Sequence, residues 1–278
     1  MTTLDVIIST CNDRINNLSR MNLRPYPKVR YLVMHQIFDE SIDLPNLKAI
    51  HADLSSRSDV DVHVFYEKGV SKSRNAGILK SEADICLISD DDLIYLDKAL
   101  PGIIQAFEHH SNEDIIAFKM LTPKGEPFKQ YPPVQQQQAK RLAGFYESIL
   151  FNNPEIAFRR QSILNKDILF NEKIGVGSKF PLGEENLFLK ACHSKRLNMS
   201  FFNFPICIVP NQSTRDREDL PIYFARGVVF GKIFGLSMTL HQIRKNLIDR
   251  CNPASWLKLS FYLAGNIYFL LRGWYVLR

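Results

Sequence analysis

A chain of 278 residues that is 45% hydrophobic and 23% charged is long enough to bury a sizeable core. Its composition is too balanced for a disordered, collagen-like or coiled-coil protein. The net charge of +6 is unevenly spread: from His241 onward six lysines and arginines face one acid, Asp249, so the preceding residues are nearly neutral. A nucleic-acid-binding body carries its own basic stripe, so nucleic acid is not an expected partner. No apolar run reaches the ~18 residues of a clean membrane span. The opening MTTLDVIIST lacks the basic start and apolar core of a signal peptide. Cys11, Cys86, Cys192, Cys207 and Cys251 are scattered without a CxxC pair. They read as reduced thiols of a cytoplasmic chain, not as a disulfide framework or zinc site.

In chain order, LDVIIS (4–9) is a β-branched apolar run, a buried strand feeding the polar cluster Thr10-Cys11-Asn12-Asp13. VRYLVM (29–34) and DVHVFY (61–66) predict two further strands, and Gly69 precedes a helix over roughly 71–80. ICLIS (85–89) predicts a strand that runs into Asp90-Asp91-Asp92. A helix over 101–109 and a strand over 114–120 follow. Strands alternating with helices predict an α/β sheet. Segment 122–138 holds Pro123, Gly125, Pro127, Pro132, Pro133 and four consecutive glutamines, and is expected to be a mobile loop or lid. Strand character returns at 155–158, and a glycine-punctuated loop from 168 leads to a helix starting near Glu184. Residues 220–236 read as helix, and 256–277 are apolar and aromatic-rich.

Three motifs could carry chemistry, and each has a plainer reading. Three adjacent carboxylates at the carboxyl end of a strand repel one another, and a hard divalent cation shared with substrate phosphates relieves that cost. Alternation would put Asp90 and Asp92 on one side and Asp91 on the other; the plainer reading is a solvated acidic turn that caps a helix. GVSKSRNAG (69–77) sets Lys72, Arg74 and Asn75 in a first helical turn, where free N–H groups and basic side chains suit a diphosphate. It could equally be an ordinary capped amphipathic helix. Gly183-Glu184-Glu185-Asn186 opens another helix, where carboxylates often serve only the dipole. One of them could instead take a proton from an acceptor hydroxyl. The seven histidines show no metal-ligand spacing and read as surface or satisfied core residues.

In their order, VIISTCND (6–13), GVSKSRNAGI (69–78), ICLISDDD (85–92) and FNEKIGVGSKFPLGEENLFL (170–189) resemble glycosyltransferase family 2. That family comprises inverting, nucleotide-sugar-dependent enzymes of the GT-A fold. The resemblance covers roughly residues 4–230. It implies a Rossmann-like mixed, mainly parallel sheet flanked by helices in a catalytic domain over 1–215, with a helical extension over 216–278. It places Thr10 and Asn12 near the base and ribose, and Lys72, Arg74, Asn75, Asp90 and Asp91 around the nucleotide. Asp92, with Asp90, would hold Mn²⁺ or Mg²⁺. Glu185 would be the general base where the family usually has aspartate, with Glu184 beside it as the alternative. Many members carry a later histidine near the metal; here the segment is Pro210-Asn211-Gln212-Ser213-Thr214.

The implied donor is a nucleoside-diphosphate sugar, a UDP-sugar favoured, and the acceptor a glycan or lipid-linked oligosaccharide of surface polysaccharide synthesis. The basic C-terminal segment, with Trp256 and Trp274 bracketing an apolar stretch, fits an interfacial helix on an anionic membrane. It fits equally a helix packed on the sheet or on a partner subunit. The location expected is cytoplasmic, with a peripheral contact at the inner face of the cell membrane. Two other classes stay open: a non-catalytic nucleotide-sugar or glycan-binding module, and a metal-dependent nucleotidyltransferase.

Overall fold

The computed structural model describes residues 1–39, 43–209, 220–248 and 253–276, with side chains for all but 44, 236–248, 253–257 and 273–276. The chain divides into two compact units. The first comprises Met1–Lys68, Lys72–Leu169 and Phe188–Asn211, and the second Gly69–Ser71, Phe170–Leu187 and Gln212–Arg278.

The first unit is built on a nine-stranded sheet. Its parallel half consists of β1 (Leu4–Cys11), β2 (Val29–Gln36), β3 (Val60–Phe65) and β4 (Ile85–Asp90), in the spatial order β3-β2-β1-β4. Leu4 through Thr10 are all buried, as expected of a central parallel strand covered on both faces. One face packs against a 3₁₀ helix (Asn12–Arg20) and α1 (Leu44–Ser55), through Ile15, Leu18 and Leu47. On the other face lies α2 (Val70–Lys80), where Gly77 lets the helix backbone approach Ile7 and Met34 too closely for any side chain.

The sheet then turns mixed. β5 (Ile94–Tyr95) lies at its far edge, and α3 (Ala99–His109) leads into β6 (Ile115–Leu121). β7 (Ala139–Arg141) and a short α4 (Phe145–Ser148) precede β8 (Ile156–Arg159) and α5 (Arg160–Asn165). β8 runs antiparallel to both β4 and β6, and β6 pairs in parallel with β9 (Met199–Ile208). The α/β sheet read from the sequence is therefore present, mixed and parallel in its first half.

Segment 122–138, expected to be mobile, is pinned at its centre. Tyr131 Oη and Lys129 Nζ each donate at 2.6 Å to the fully buried Glu155 carboxylate, and the Tyr131 ring stacks on Phe201 at 5.4 Å. A buried carboxylate satisfied by two donors fixes them as firmly as it is fixed.

In the second unit, the loop from Phe170 leads to α6 (Glu184–Ser194), whose first turn belongs here. α7 (Leu220–Ile248) is interrupted at Gly235, where φ is +68°, close to the end expected near residue 236. α8 (Pro253–Val276) packs on α7 through glycines: a Cβ on Gly227 would strike the Tyr262 carbonyl, and one on Gly265 the Phe224 carbonyl. Among the described residues no helix is long and apolar enough to cross a membrane. Pro210–Thr214 and the side chains of Trp256 and Trp274 lie outside the described residues.

Candidate functional site

The pairing of β1 with β4 ends at Ser9 opposite Asp90, where β4 stops and β1 runs on to Cys11. The residues that follow them, Thr10 on β1 and the aspartates after β4, therefore meet at the carboxyl edge of the sheet. In open α/β sheets this edge is where ligands bind.

The three aspartates have different environments. β4 stops at Asp90, and Asp91 and Asp92 turn away from the strand. The Asp91 side chain is 3% exposed, against 40% for Asp90 and 38% for Asp92. Thr10 Oγ1 donates to Asp91 Oδ2 at 2.7 Å, and Arg14 Nε donates to the same oxygen at 3.0 Å. Arg14 Nη2 pairs with Asp91 Oδ1 and reaches Asp92 Oδ2 at 3.3 Å. Asp91, expected among the nucleotide contacts, thus has both oxygens engaged by protein donors. Its carboxylate ties the turn after β4 to the start of the 3₁₀ helix.

Arg14 is the member that the sequence reading missed. The signal was a basic residue two places after Asn12, in the first turn of the helix that follows β1. The hydrogen bonds to Asp91 hold its guanidinium even more firmly protonated than usual. Asp92 is pushed above its ordinary value, first by burial and then by the charges of Asp90 and Asp91, which Arg14 only partly offsets.

Arg14→Met should therefore destabilise the fold. It strands a buried carboxylate with Thr10 alone, and losing one partner of a fully buried pair costs ~3–5 kcal/mol. With Arg14 half exposed, solvent screening reduces this to about 2 kcal/mol or less. A denaturant midpoint equal to that of the wild type would contradict the clamp.

Arg74 is buried, and its Nη2 donates to Asp90 Oδ1 at 2.8 Å, so it orients the first aspartate. Asn75 is buried beside it in sequence. Lys72 lies on the surface and pairs with Glu67 at 2.8 Å. Ser73 Oγ, between them, donates to Ser9 Oγ at 2.9 Å and fastens α2 to β1. Asn12 takes a left-handed backbone, φ +51°, a conformation that asparagine tolerates better than most residues. Its Oδ1 accepts from the Phe38 N–H at 3.1 Å.

Asp90 and Asp92 offer half-exposed hard oxygen donors whose negative charge Arg74 and Arg14 offset only in part, which suits Mg²⁺ or Mn²⁺. Among the described residues no group of three histidines, cysteines or acids could hold a metal ion. Two carboxylates suffice where substrate phosphates complete the shell, as is usual for Mg²⁺.

In the second unit, the Gly175–Gly183 loop is stitched to the start of α2. Val70 N donates to Val176 O at 3.0 Å and Ser71 Oγ to Ile174 O at 2.5 Å. Gly175, at φ +108°, leaves no room for a Cβ beside Val70, Ser71 and Glu184. Glu184 is buried and Glu185 half-buried, both in the first turn of α6.

Residues 37–168 match the family described as Glycosyl transferase family 2. The matched segment, 132 of the 278 residues, is similar to that family. The match takes in Lys72, Arg74, Asn75 and the three aspartates, and leaves Thr10, Asn12, Glu184 and Glu185 outside it. Among solved structures, S. aureus TarS 1-349 is similar at 15% identity and a TM-score of 0.58, over 98% of this chain and 73% of that one. A structure of S. aureus TarS gives 14% identity and 0.61, over 95% of this chain and 49% of that one. TarS 1-349 in complex with UDP-GlcNAc gives 14% and 0.57, over 98% and 74%. At such identities the likeness shows the fold, which is that of GT-A glycosyltransferases. No curated protein matches the sequence.

Proposed function

We propose that this glycosyltransferase moves a sugar from a nucleoside-diphosphate donor, a UDP-sugar, to a glycan hydroxyl with inversion. The acceptor proposed is a growing surface polysaccharide on a lipid carrier. What carries the reading is the edge where the pairing of β1 with β4 ends, with two half-open carboxylates and two arginines around them. The structures of TarS 1-349 with UDP and with UDP-GlcNAc favour uridine as the nucleotide.

The loop at Thr10–Asn12 receives the nucleoside, and Lys72, Arg74 and Asn75 line the diphosphate side. Asp90 and Asp92 would hold the divalent cation. When bound, that cation supplies Lewis-acid stabilisation of the negative charge developing on the leaving diphosphate. Arg74 keeps Asp90 in place through its hydrogen bond, and the Thr10–Asp91–Arg14 clamp keeps the aspartate turn against β1. Glu185, with Glu184 as the alternative, takes the acceptor proton as the acceptor oxygen attacks the anomeric carbon. The bond from that carbon to the diphosphate oxygen breaks on the opposite face, and its electron pair leaves with UDP. The basic, aromatic C-terminal segment serves a lipid-linked acceptor through contact with an anionic membrane at the inner face of the cell.

Incubation with UDP-GlcNAc and with other UDP-, GDP- and dTDP-sugars, in Mn²⁺ or in EDTA, tests the reading. Release of UDP, by transfer or by slow hydrolysis, is expected from one donor and only with metal. Release of UMP or pyrophosphate would instead mark a nucleotidyltransferase. Donor binding without turnover would mark a binding module.

A further inference from the structure

His35 lies within the run of buried residues on β2 and is wholly inaccessible to solvent. In the register of β1 and β2 it lies opposite Thr10. Its Nε2 is 2.8 Å from the Asn12 carbonyl oxygen, and its Nδ1 is 2.7 Å from Nε2 of His51 on α1. A carbonyl oxygen can only accept, so His35 must donate from Nε2. Burial lowers the proton affinity of His35, and likewise that of His51. A neutral ring that donates from Nε2 accepts at Nδ1, so His51 donates from its own Nε2. The chemistry of the partners thus fixes both tautomers and gives the chain one direction, from His51 through His35 to the Asn12 carbonyl.

The carbonyl at the end of that chain belongs to the left-handed residue of the β1 loop. Asn12 is held twice from β2 and the segment after it: by His35 on its carbonyl and by the Phe38 N–H on its side chain. Without His35 a left-handed, non-glycine backbone would have one anchor fewer, and such backbones persist only where their surroundings over-determine them.

We propose that His35 and His51 are positioning residues for the donor, His35 fixing the Asn12 turn that receives the nucleoside and His51 fixing His35. The inference rests on the assignment of the Thr10–Asn12 loop to the nucleoside. His51 acts from α1, a partly buried helix on the outer face of the sheet, and touches no proposed substrate contact. Its effect reaches the donor only through His35 and the loop.

The test compares UDP binding, by calorimetry with Mn²⁺ at neutral pH, in wild type, His51→Leu and His51→Gln. Thermal midpoints are taken alongside, and imidazole nitrogens are assigned by nitrogen-15 NMR. Leucine removes the donor to His35, and one hydrogen bond's worth of ordering weakens UDP binding about three- to tenfold. Glutamine places an amide N–H where Nε2 stood and restores most of the affinity. In the wild type, His35 carries its proton on Nε2 and is neutral.

A His51→Leu protein with a lower midpoint but wild-type UDP affinity would overturn the inference, leaving a structural pair only. So would a His35 ring protonated at Nδ1 alone. Wild-type protein that binds no UDP with Mn²⁺ would sink the donor reading itself, and the positioning role with it. Normal wild-type binding that the His51 variants do not disturb would sink only the positioning role.

Discussion

Asp92→Ala is expected to abolish metal-dependent binding of UDP while leaving the protein as stable as the wild type or more so. The first half follows from the donor set: Asp92 is one of two half-open carboxylates at the end of β4, and removing it leaves Asp90 alone to meet the cation. Lewis-acid stabilisation by a bound metal amounts to several kcal/mol, so turnover should fall by roughly a thousandfold or more. UDP affinity in Mn²⁺ should drop to its value in EDTA. The second half follows from electrostatics. Asp92 is pushed upward by burial and by Asp90 and Asp91, so its charge works against the folded state at neutral pH. A carboxyl raised on folding binds its proton more readily in the native than in the unfolded chain. Its contribution to stability therefore improves as pH falls through the raised value and is unfavourable above it. Deleting the charge removes that unfavourable contribution, whereas Asp91→Ala would strip Arg14 and Thr10 of their buried partner and destabilise. Calorimetry with and without EDTA, together with thermal melts of the two variants, checks both halves. A drop in the Asp92→Ala midpoint as large as that of Asp91→Ala would show that the two aspartates do not have separate roles.

The contrast between neighbouring aspartates shows where sequence reading stops. Strand alternation set Asp91 apart from Asp90 and Asp92, and the side chains do divide that way, although a turn after Asp90 produces the division. The demand for a countercharge was also legible, since three adjacent carboxylates require one. Its source for Asp91 was not, because Arg14 is distant in sequence and becomes a neighbour only when β1 and β4 pair. The parallel strands were readable because strands buried on both faces are continuous apolar runs. β9 escaped notice because Pro205 breaks its pattern. In the sheet that proline sits where the β6–β9 register shifts, a place where a missing N–H is tolerated. α1 was missed although Asp43 accepts from Asn46 N at 3.2 Å as its N-cap. Its LPNLKAIHADLS sequence has too weak an apolar stripe to announce a helix. The histidines illustrate the same limit. His35 and His51 are 16 positions apart, a spacing without meaning until β2 and α1 face each other.

Glu185→Gln should leave UDP binding within about twofold of wild type and lower turnover by roughly 10²–10⁴, the usual contribution of a positioned general base. The amide keeps the shape and a hydrogen-bonding oxygen of the carboxylate but cannot accept the acceptor's proton at the moment of attack. Both glutamates open α6, where the helix dipole tolerates negative charge, so position in the helix does not choose between them. Exposure does. Glu184 is buried against the Gly175 turn, where its Cδ would lie 3.3 Å from any added Cβ, whereas Glu185 is only half-buried and can be reached by an incoming hydroxyl. Glu184→Gln is therefore expected to act mainly through the loop, lowering thermal stability more than the rate per folded molecule. Steady-state release of UDP from the preferred donor, set beside calorimetric UDP affinity for each variant, separates the two. Full turnover in Glu185→Gln combined with a collapse in Glu184→Gln would transfer the role of base to the buried residue. Full turnover in both would remove the base from this helix altogether.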